Sequence, residues 1–394
     1  MGTAIRIDER SAQDGECCGR ASEARGDAYE WFVDHAKQCG RMTSGHHNLN
    51  FLMPILHGDL AEQLGHLPNS PVKVRVPIHD ALQVVPRTWR HEARLLFALQ
   101  DCVPNVPALL KGGRASSVHV YVDGVTLSTV CPPEKWVDDV YIQALTDLFG
   151  VLAQVRREDL PPLPLRWPRT GDSSGYLRRL ARLTDACVRR PNWGRFGTLL
   201  ASLGVPPNTM RAYAERVPGM QPRPYALLHT DLHRDNLIVT GDPARPLFFL
   251  DWELASYGDP LHDLATHLVR MRYPDDQQSD VIEAWRDVMH SVRPEAATGL
   301  DTDLPRYIAF EHAQSVYPDV MRAATRLLGD LDVNNLDTQV GAVRHALLKA
   351  QKPLGLRPVD GRKEIRAALL DWRRDQMRIR GGREALRKWR RGRF

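Results

Sequence analysis

The chain is predicted to be an α+β protein with a smaller, β-rich N-terminal lobe and a larger, mainly helical C-terminal lobe. Three observations predict it. Short alternating or β-branched runs crowd the first third, apolar residues at helical spacing fill most of the rest, and three short apolar runs between residues 225 and 250 bracket the densest polar cluster. With 394 residues there is room for one large two-lobed domain or for two domains.

In chain order, residues 1–25 are polar and aperiodic and are expected to be poorly ordered. A helix is predicted from Asp27 to Gly40, burying Trp31, Phe32, His35 and Cys39. The turn-rich Thr43–Asn48 segment leads into Leu49–Ile55, whose period of two predicts a strand, and after a Gly-, Pro- and Asn-rich loop comes the strand Val72–Val76. Residues 87–100 read as an amphipathic helix and Val118–Val122 as a further strand closed by Asp123 and Gly124. Helical spacing resumes over 136–153, with Val137, Val140, Tyr141, Ala144, Leu145, Leu148 and Leu152 on one face, and a Pro-rich stretch to Pro168 ends that unit. The runs Ala226–Leu228, Leu237–Val239 and Leu247–Leu250 read as strands, the last two joined as a hairpin through Gly241-Asp242-Pro243. Helices are expected from there to the end, and no repeat at a fixed period is visible.

Composition excludes several classes. No stretch approaches the roughly 18 apolar residues of a membrane span, and charges stand where a secretory peptide carries its apolar region. The six cysteines include no C-x-x-C pair and are too sparse for a disulfide framework or a zinc site. A soluble, cytoplasmic protein with no membrane partner is therefore expected. The net charge of +5 is uneven: residues 362–394 hold 13 basic against 4 acidic side chains, which leaves the body mildly acidic. Ile365, Leu369, Trp372 and Met377 in that tail have helical spacing, which favours a basic helix packed on the body over a nucleic-acid-binding surface, and Gly381-Gly382 is expected to interrupt it.

The chemistry concentrates in His229-Thr230-Asp231-Leu232-His233-Arg234-Asp235-Asn236, followed by Asp251-Trp252-Glu253. Polar residues between buried strands are pinned where a scaffold can present them. One carboxylate for proton work, with an Asn five residues on and an Asp ending the next strand, supplies a base and two oxygen ligands for a hard cation such as Mg2+. A non-haem iron site built on His229 and Asp231 would leave Asn236 and Asp251 idle and needs a jelly roll of strands that the helical second half does not offer. A metallohydrolase fails for want of an H-x-H pair.

The string H-x-D-x-x-x-x-N, with D-W-E fifteen residues after the Asn and Ala255–Ala265 beyond it, resembles the catalytic core of the aminoglycoside phosphotransferase family, the small-molecule branch of the protein-kinase-like fold. The resemblance implies that Asp231 orients and deprotonates a substrate hydroxyl, that Asn236 and Asp251 hold Mg2+ against the nucleotide phosphates, that His229 buttresses the loop, and that His233 sits near the transferred phosphate. Asp259 is expected to cap a helix and Asp263 to brace the loop.

The N-terminal half matches at lower specificity. Ser44-Gly45-His46-His47-Asn48 resembles the family's phosphate-covering loop, with Ser44, Gly45, His46 and Asn48 facing the nucleotide through backbone N–H groups. Arg75 falls where kinases carry the phosphate-binding lysine, Glu92 is its expected partner, and Lys73 shares the same strand face. Val122 and Gly124 would form the hinge that receives the nucleobase. The implied division is an N-lobe over 26–124, a catalytic and acceptor-binding C-lobe over 125–361 and a basic helical extension over 362–394.

The implied reaction moves the γ-phosphoryl group of ATP or GTP to a hydroxyl of a small molecule. An antibiotic acceptor is the leading expectation, a metabolite kinase acting on choline, a sugar or an amino alcohol the second, and a non-catalytic kinase-like binding protein the third.

Overall fold

The alternation of Val72-Lys73-Val74-Arg75 becomes a two-faced strand: both valines are fully buried, and the two cations project from the other face. This strand, β3 (Pro71–Pro77), is the centre of an antiparallel five-stranded sheet with β1 (Arg41–Thr43), β2 (Asn48–Pro54), β4 (Leu109–Gly112) and β5 (Ser117–Val120), in the order β1-β2-β3-β5-β4. The computed structural model describes residues 28–391 except 44–47, 57, 79–81, 83, 114, 330 and 360. Residues 1–25 and Ser44, Gly45 and His46, which carried expectations, lie outside the described residues.

Two helices pack on the buried face of the sheet, α1 (Ala28–Cys39) and α2 (Gly58–Leu64), so that Phe32, Ala36, Leu60 and Leu64 share one small core with Phe51, Met53, Val74 and Val118. The first was expected, but of the four residues expected to be buried only Phe32 is, His35 is half-buried, and Trp31 and Cys39 are turned outward. The second corrects the loop read there, because Leu60, Ala61 and Leu64 form a stripe over less than two turns, too short to show as a period. Gly40 lets α1 end directly against the sheet, since a Cβ there would lie 2.6 Å from the Ala36 carbonyl oxygen and 2.9 Å from the Phe51 Cβ.

Between the lobes, α3 (Glu92–Leu99) is shorter than the predicted 87–100 segment, whose first residues form a loop. Leu95, Leu96 and Leu99, with Trp89 ahead of them, sink into the larger core of the C-lobe and not into the sheet's core. Strand β5 ends at Val120, two residues earlier than expected, and the chain crosses to β6 (Val125–Thr126) through Gly124. Its φ of +145° and a would-be Cβ only 2.3 Å from the Val239 carbonyl oxygen require glycine at this crossing.

The larger lobe follows as α4 (Leu127–Val130), α5 (Asp139–Gln154), α6 (Ser173–Leu183), α7 (Arg190–Ser202), α8 (Thr209–Glu215), β7 (Ala226–Leu228), β8 (Leu237–Val239), β9 (Leu247–Phe249), β10 (Ser256–Gly258), α9 (Pro260–Met271), α10 (Asp275–Val292), α11 (Leu300–Gly329), α12 (Val333–Leu354) and α13 (Arg362–Arg391). The β8–β9 hairpin forms as expected, with β6 as its third strand. Strand β10, too short and polar to signal itself, pairs with β7. In α5 the expected face is buried at Leu145, Leu148 and Leu152, while Val140 is turned outward. No helix among the described residues is long and apolar enough to cross a membrane.

The basic tail is a helix fastened to the body. Ile365 and Leu369 are fully buried, and Trp372 stacks on Phe196 with centroids 5.1 Å apart while its Nε1 donates to the Arg195 carbonyl oxygen at 2.8 Å. Contrary to expectation, α13 runs on through Gly381-Gly382, because glycine still reaches helical φ and ψ and its neighbours Arg, Ala, Leu and Lys favour helix. Met377 is 44% exposed. Trp372→Ala should therefore lower the unfolding free energy by about 3–5 kcal/mol, whereas Met377→Ala should change it by less than about 0.5 kcal/mol, as read from urea denaturation of the two variants.

Candidate active site

After β7 the chain turns through His229–Asn236 before entering β8, and one carboxylate organises the turn. Asp263 on α9 accepts the His229 amide at 2.8 Å and the Thr230 amide at 2.7 Å. Thr230 is held at a left-handed φ of +58°, costly for a β-branched residue, and its Oγ1 donates to the Leu254 carbonyl oxygen at 2.6 Å. The His229 ring lies 4.4 Å from Trp252; its Nε2 donates to the Leu250 carbonyl oxygen at 3.0 Å and its Nδ1 accepts the Asp231 amide at 3.3 Å. Burial pushes this imidazole down to about 3, so it is neutral.

Asp231 and Asn236 meet in this loop: the Asn236 amide nitrogen donates to Asp231 Oδ2 at 3.1 Å and to its carbonyl oxygen at 3.0 Å. The other carboxylate oxygen contacts the Arg270 guanidinium from α9, with His233 Nε2 at 3.6 Å. Burial pushes the Asp231 carboxyl up, against the pull of Arg270 and His233. Burial also holds His233 below the ordinary histidine range. Arg270 escaped the sequence reading, although it stands seven residues after Asp263 on the same helical face.

On the facing side, Asp251 follows β9 at a left-handed φ of +62°. Arg75 joins it to the sheet: Nη2 lies 3.2 Å from Asp251 Oδ1 and Nη1 lies 2.8 Å from Glu92 Oε2 on α3. Glu92 Oε1 in turn accepts the Trp252 amide at 3.0 Å, so the expected Arg75–Glu92 pair is also a bridge to the C-lobe. Lys73 shares the sheet face of Arg75 and has no ion pair or hydrogen bond among the described residues; burial, then Arg75, lowers it from the ordinary lysine range. Asn48 opens β2 opposite Pro77. In the hinge, Val122 makes no hydrogen bond among the described residues, whereas the Gly124 amide is taken by Asp123 Oδ1 at 3.0 Å.

The donor set suits a hard divalent cation. Glu92, Asp251 and Glu253 bring carboxylate oxygens within 4.8 Å of one another. Glu92 is spent on Arg75, and Glu253 accepts from Arg87 at 2.8 Å. Asp251 also meets Arg75, at the longer distance of 3.2 Å, and of the three carboxylates it is the one expected from the sequence to hold a cation.

A second ionic knot was not legible in the chain. Asp259 caps α9 by accepting the Leu261 amide at 3.1 Å, with Pro260 at the first helical position, as expected. It is also bound by the fully buried Arg223 at 2.7 Å, and Arg223 reaches Asp303 at 2.8 Å. The partners lie far apart in sequence, and Arg223 and Asp303 belong to no motif.

The neutral state of His229 sets a pH dependence. The unfolded chain protonates this histidine near its ordinary 6.5, whereas the folded chain resists down to about 3. Stability is thus fully present above pH 6.5 and is lost as pH falls toward 3, by about 1.4 kcal/mol per pH unit per proton. His267, pushed down to about 4 by burial, adds in the same direction. Asp263 and Glu253, pushed up by burial to about 6 and about 8, act in the opposite direction, so the His229 contribution is read as the difference between wild type and His229→Gln in denaturant titrations from neutral pH to about pH 5, where the variant's stability should fall less steeply with acid by up to one proton.

The model of the phosphotransferase enzyme family matches residues 74–295, a segment that contains Arg75, Glu92, Asp231, Asn236, Asp251 and Arg270. Among solved structures the chain is similar to a Ralstonia eutropha protein provisionally named an aminoglycoside phosphotransferase, at 15% identity over 84% of this chain and 99% of that one, with a TM-score of 0.50. It is also similar to a macrolide 2'-phosphotransferase from Brachybacterium faecium, at 18% identity over 80% of this chain and 98% of that one, TM-score 0.47. A choline kinase from Streptococcus pneumoniae matches at 10% identity over 82% and 98%, TM-score 0.48. No curated protein matches the chain in sequence. The fold is protein-kinase-like, and the chain belongs to the phosphotransferase enzyme family.

Proposed function

We propose that the protein transfers the γ-phosphoryl group of ATP or GTP to a hydroxyl of a small molecule, in the cleft between the sheet and the β7–β10 loops. One observation carries this reading: Asp231 pairs with Asn236 in one loop, Arg75 pairs with both Glu92 and Asp251 from distant parts of the chain, and the Leu250 amide beside Asp251 donates to the Asn236 carbonyl oxygen at 2.8 Å, which joins the two sets. In this reading Asp231 takes the acceptor's proton, with its carboxylate oriented by Asn236 and Arg270. Asp251 and the Asn236 oxygen would hold Mg2+, which when bound neutralises charge on the nucleotide phosphates. Arg75 and Lys73 supply cations on the nucleotide side, and the Val122 backbone groups, unpaired among the described residues, are the hinge contacts for the base. His233 lies next to Asp231, near the incoming hydroxyl.

An antibiotic acceptor, the leading expectation from the motifs, rests on family resemblance alone. It is tested by a phosphorylation screen with radiolabelled ATP and GTP against antibiotics and small metabolic alcohols, which also decides the donor.

Two substitutions separate base from metal site. Asp231→Asn keeps the shape and the proposed metal donors, so nucleotide affinity should persist while turnover drops by about 10²–10⁴. Near-normal turnover would remove Asp231 from the mechanism. For Asp251→Ala, calorimetric titration should find nucleotide affinity no longer enhanced by magnesium; an unchanged magnesium effect would move the metal site elsewhere.

A further inference from the structure

One cation on α11 feels the charge of Asp231 without contacting it and is left unused by the phosphotransferase reading. Helix α11 packs along α9 and presents Asp319, Arg322 and Arg326 at spacings of three and four, near the α9 end that carries Arg270. Arg270 already spends its charge on Asp231. Arg322 is half-buried and has no ion-pair or hydrogen-bond partner among the described residues. It lies in the field of Asp319, Arg270, Asp231 and Arg326, and exposed His345 on the neighbouring α12 faces the same Asp319.

A guanidinium stripped of part of its water without a bound carboxylate is unfavourable, and burial lowers Arg322 from the ordinary arginine range, with Arg270 adding to the effect. Its planar fork of N–H donors matches a carboxylate or phosphate held by two parallel hydrogen bonds. Asp319, three residues earlier on α11, is the internal competitor, yet the two do not pair. Acidic side chains that would suit a cationic acceptor, Asp138, Asp139, Glu215, Asp275 and Asp276, belong to other helices or their flanks.

We infer that Arg322 is the oxyanion-binding residue of the acceptor site, so that the hydroxyl compound presented to Asp231 carries a carboxylate or phosphate group and is not a polycation. This rests on the phosphotransferase reading for the word acceptor, but the oxyanion site is testable without turnover. The full chain, saturated with magnesium ADP, is titrated calorimetrically with inorganic phosphate and with malonate. Wild type should bind one oxyanion, and the tighter of the two probes identifies the source of the charge. Arg322→Gln should weaken that binding at least about tenfold with magnesium ADP affinity unchanged, and Arg322→Lys should fall between. Asp319→Asn, which removes the competitor, should tighten it. No oxyanion binding by wild type, or equal binding by Arg322→Gln, overturns the inference; the second result would place the phosphate beside the nucleotide. Should Arg322→Gln lose magnesium ADP binding as well, Asp319→Asn decides, since unchanged or weaker oxyanion affinity there overturns the inference. Failure of the phosphotransferase reading shows separately, as absent magnesium ADP binding and absent ATP turnover.

Discussion

The structure depends on one guanidinium. The sheet and its two covering helices form one apolar core, the remaining helices form another, and α3 buries its leucines in the second. Arg75 ties the sheet to both α3 and the end of β9, with one nitrogen on Glu92 and another on Asp251. A lysine offers a single point charge and could not hold two carboxylates from different elements in one plane; the arginine fork can. The pair is largely shielded from water, so loss of either partner would leave a charge without its counterion where solvent replaces it poorly. The same contact therefore joins the lobes and fixes the position of Asp251, the carboxylate proposed to hold the metal.

Opposite that bridge, the loop of Asp231 is rigid because its backbone has been answered group by group. Asp263 takes two amides, neutral His229 takes a third and donates to Leu250, and Thr230 closes onto Leu254. These bonds hold Thr230 in a left-handed conformation that it would not keep in isolation. The strain sits one residue before the proposed base, so the carboxylate is placed by the fold and not by substrate. The far side of Asp231 is built differently, from helix faces with half-buried and exposed cations. Such a face can differ in charge while the loop stays as it is, which is how one scaffold accommodates different acceptors.

Much of this was legible in the chain. Strand alternation around Val72 and Val74, the hairpin around Gly241 and the spacing from His229 through Asp251 identified the lobes and the central loop, because each signal is local: a period, a turn residue, a short motif. Asp263 and Asp259 were read correctly as brace and cap for the same reason. The short elements α2 and β10 were not legible, since neither is long enough for a period to emerge.

What the sequence determined by itself was thus the fold class, the family resemblance and the residue types gathered at the proposed centre. Tertiary structure alone decided that Arg75 bridges two carboxylates, that Arg270 contacts Asp231, that Arg223 binds Asp259 and Asp303, and that Arg322 has no ion-pair or hydrogen-bond partner among the described residues. The reason is physical. Among 45 arginines, identity carries no information about pairing; an ionic contact depends on which helix faces meet and how much water they exclude, and both follow from the packing of elements far apart in the chain.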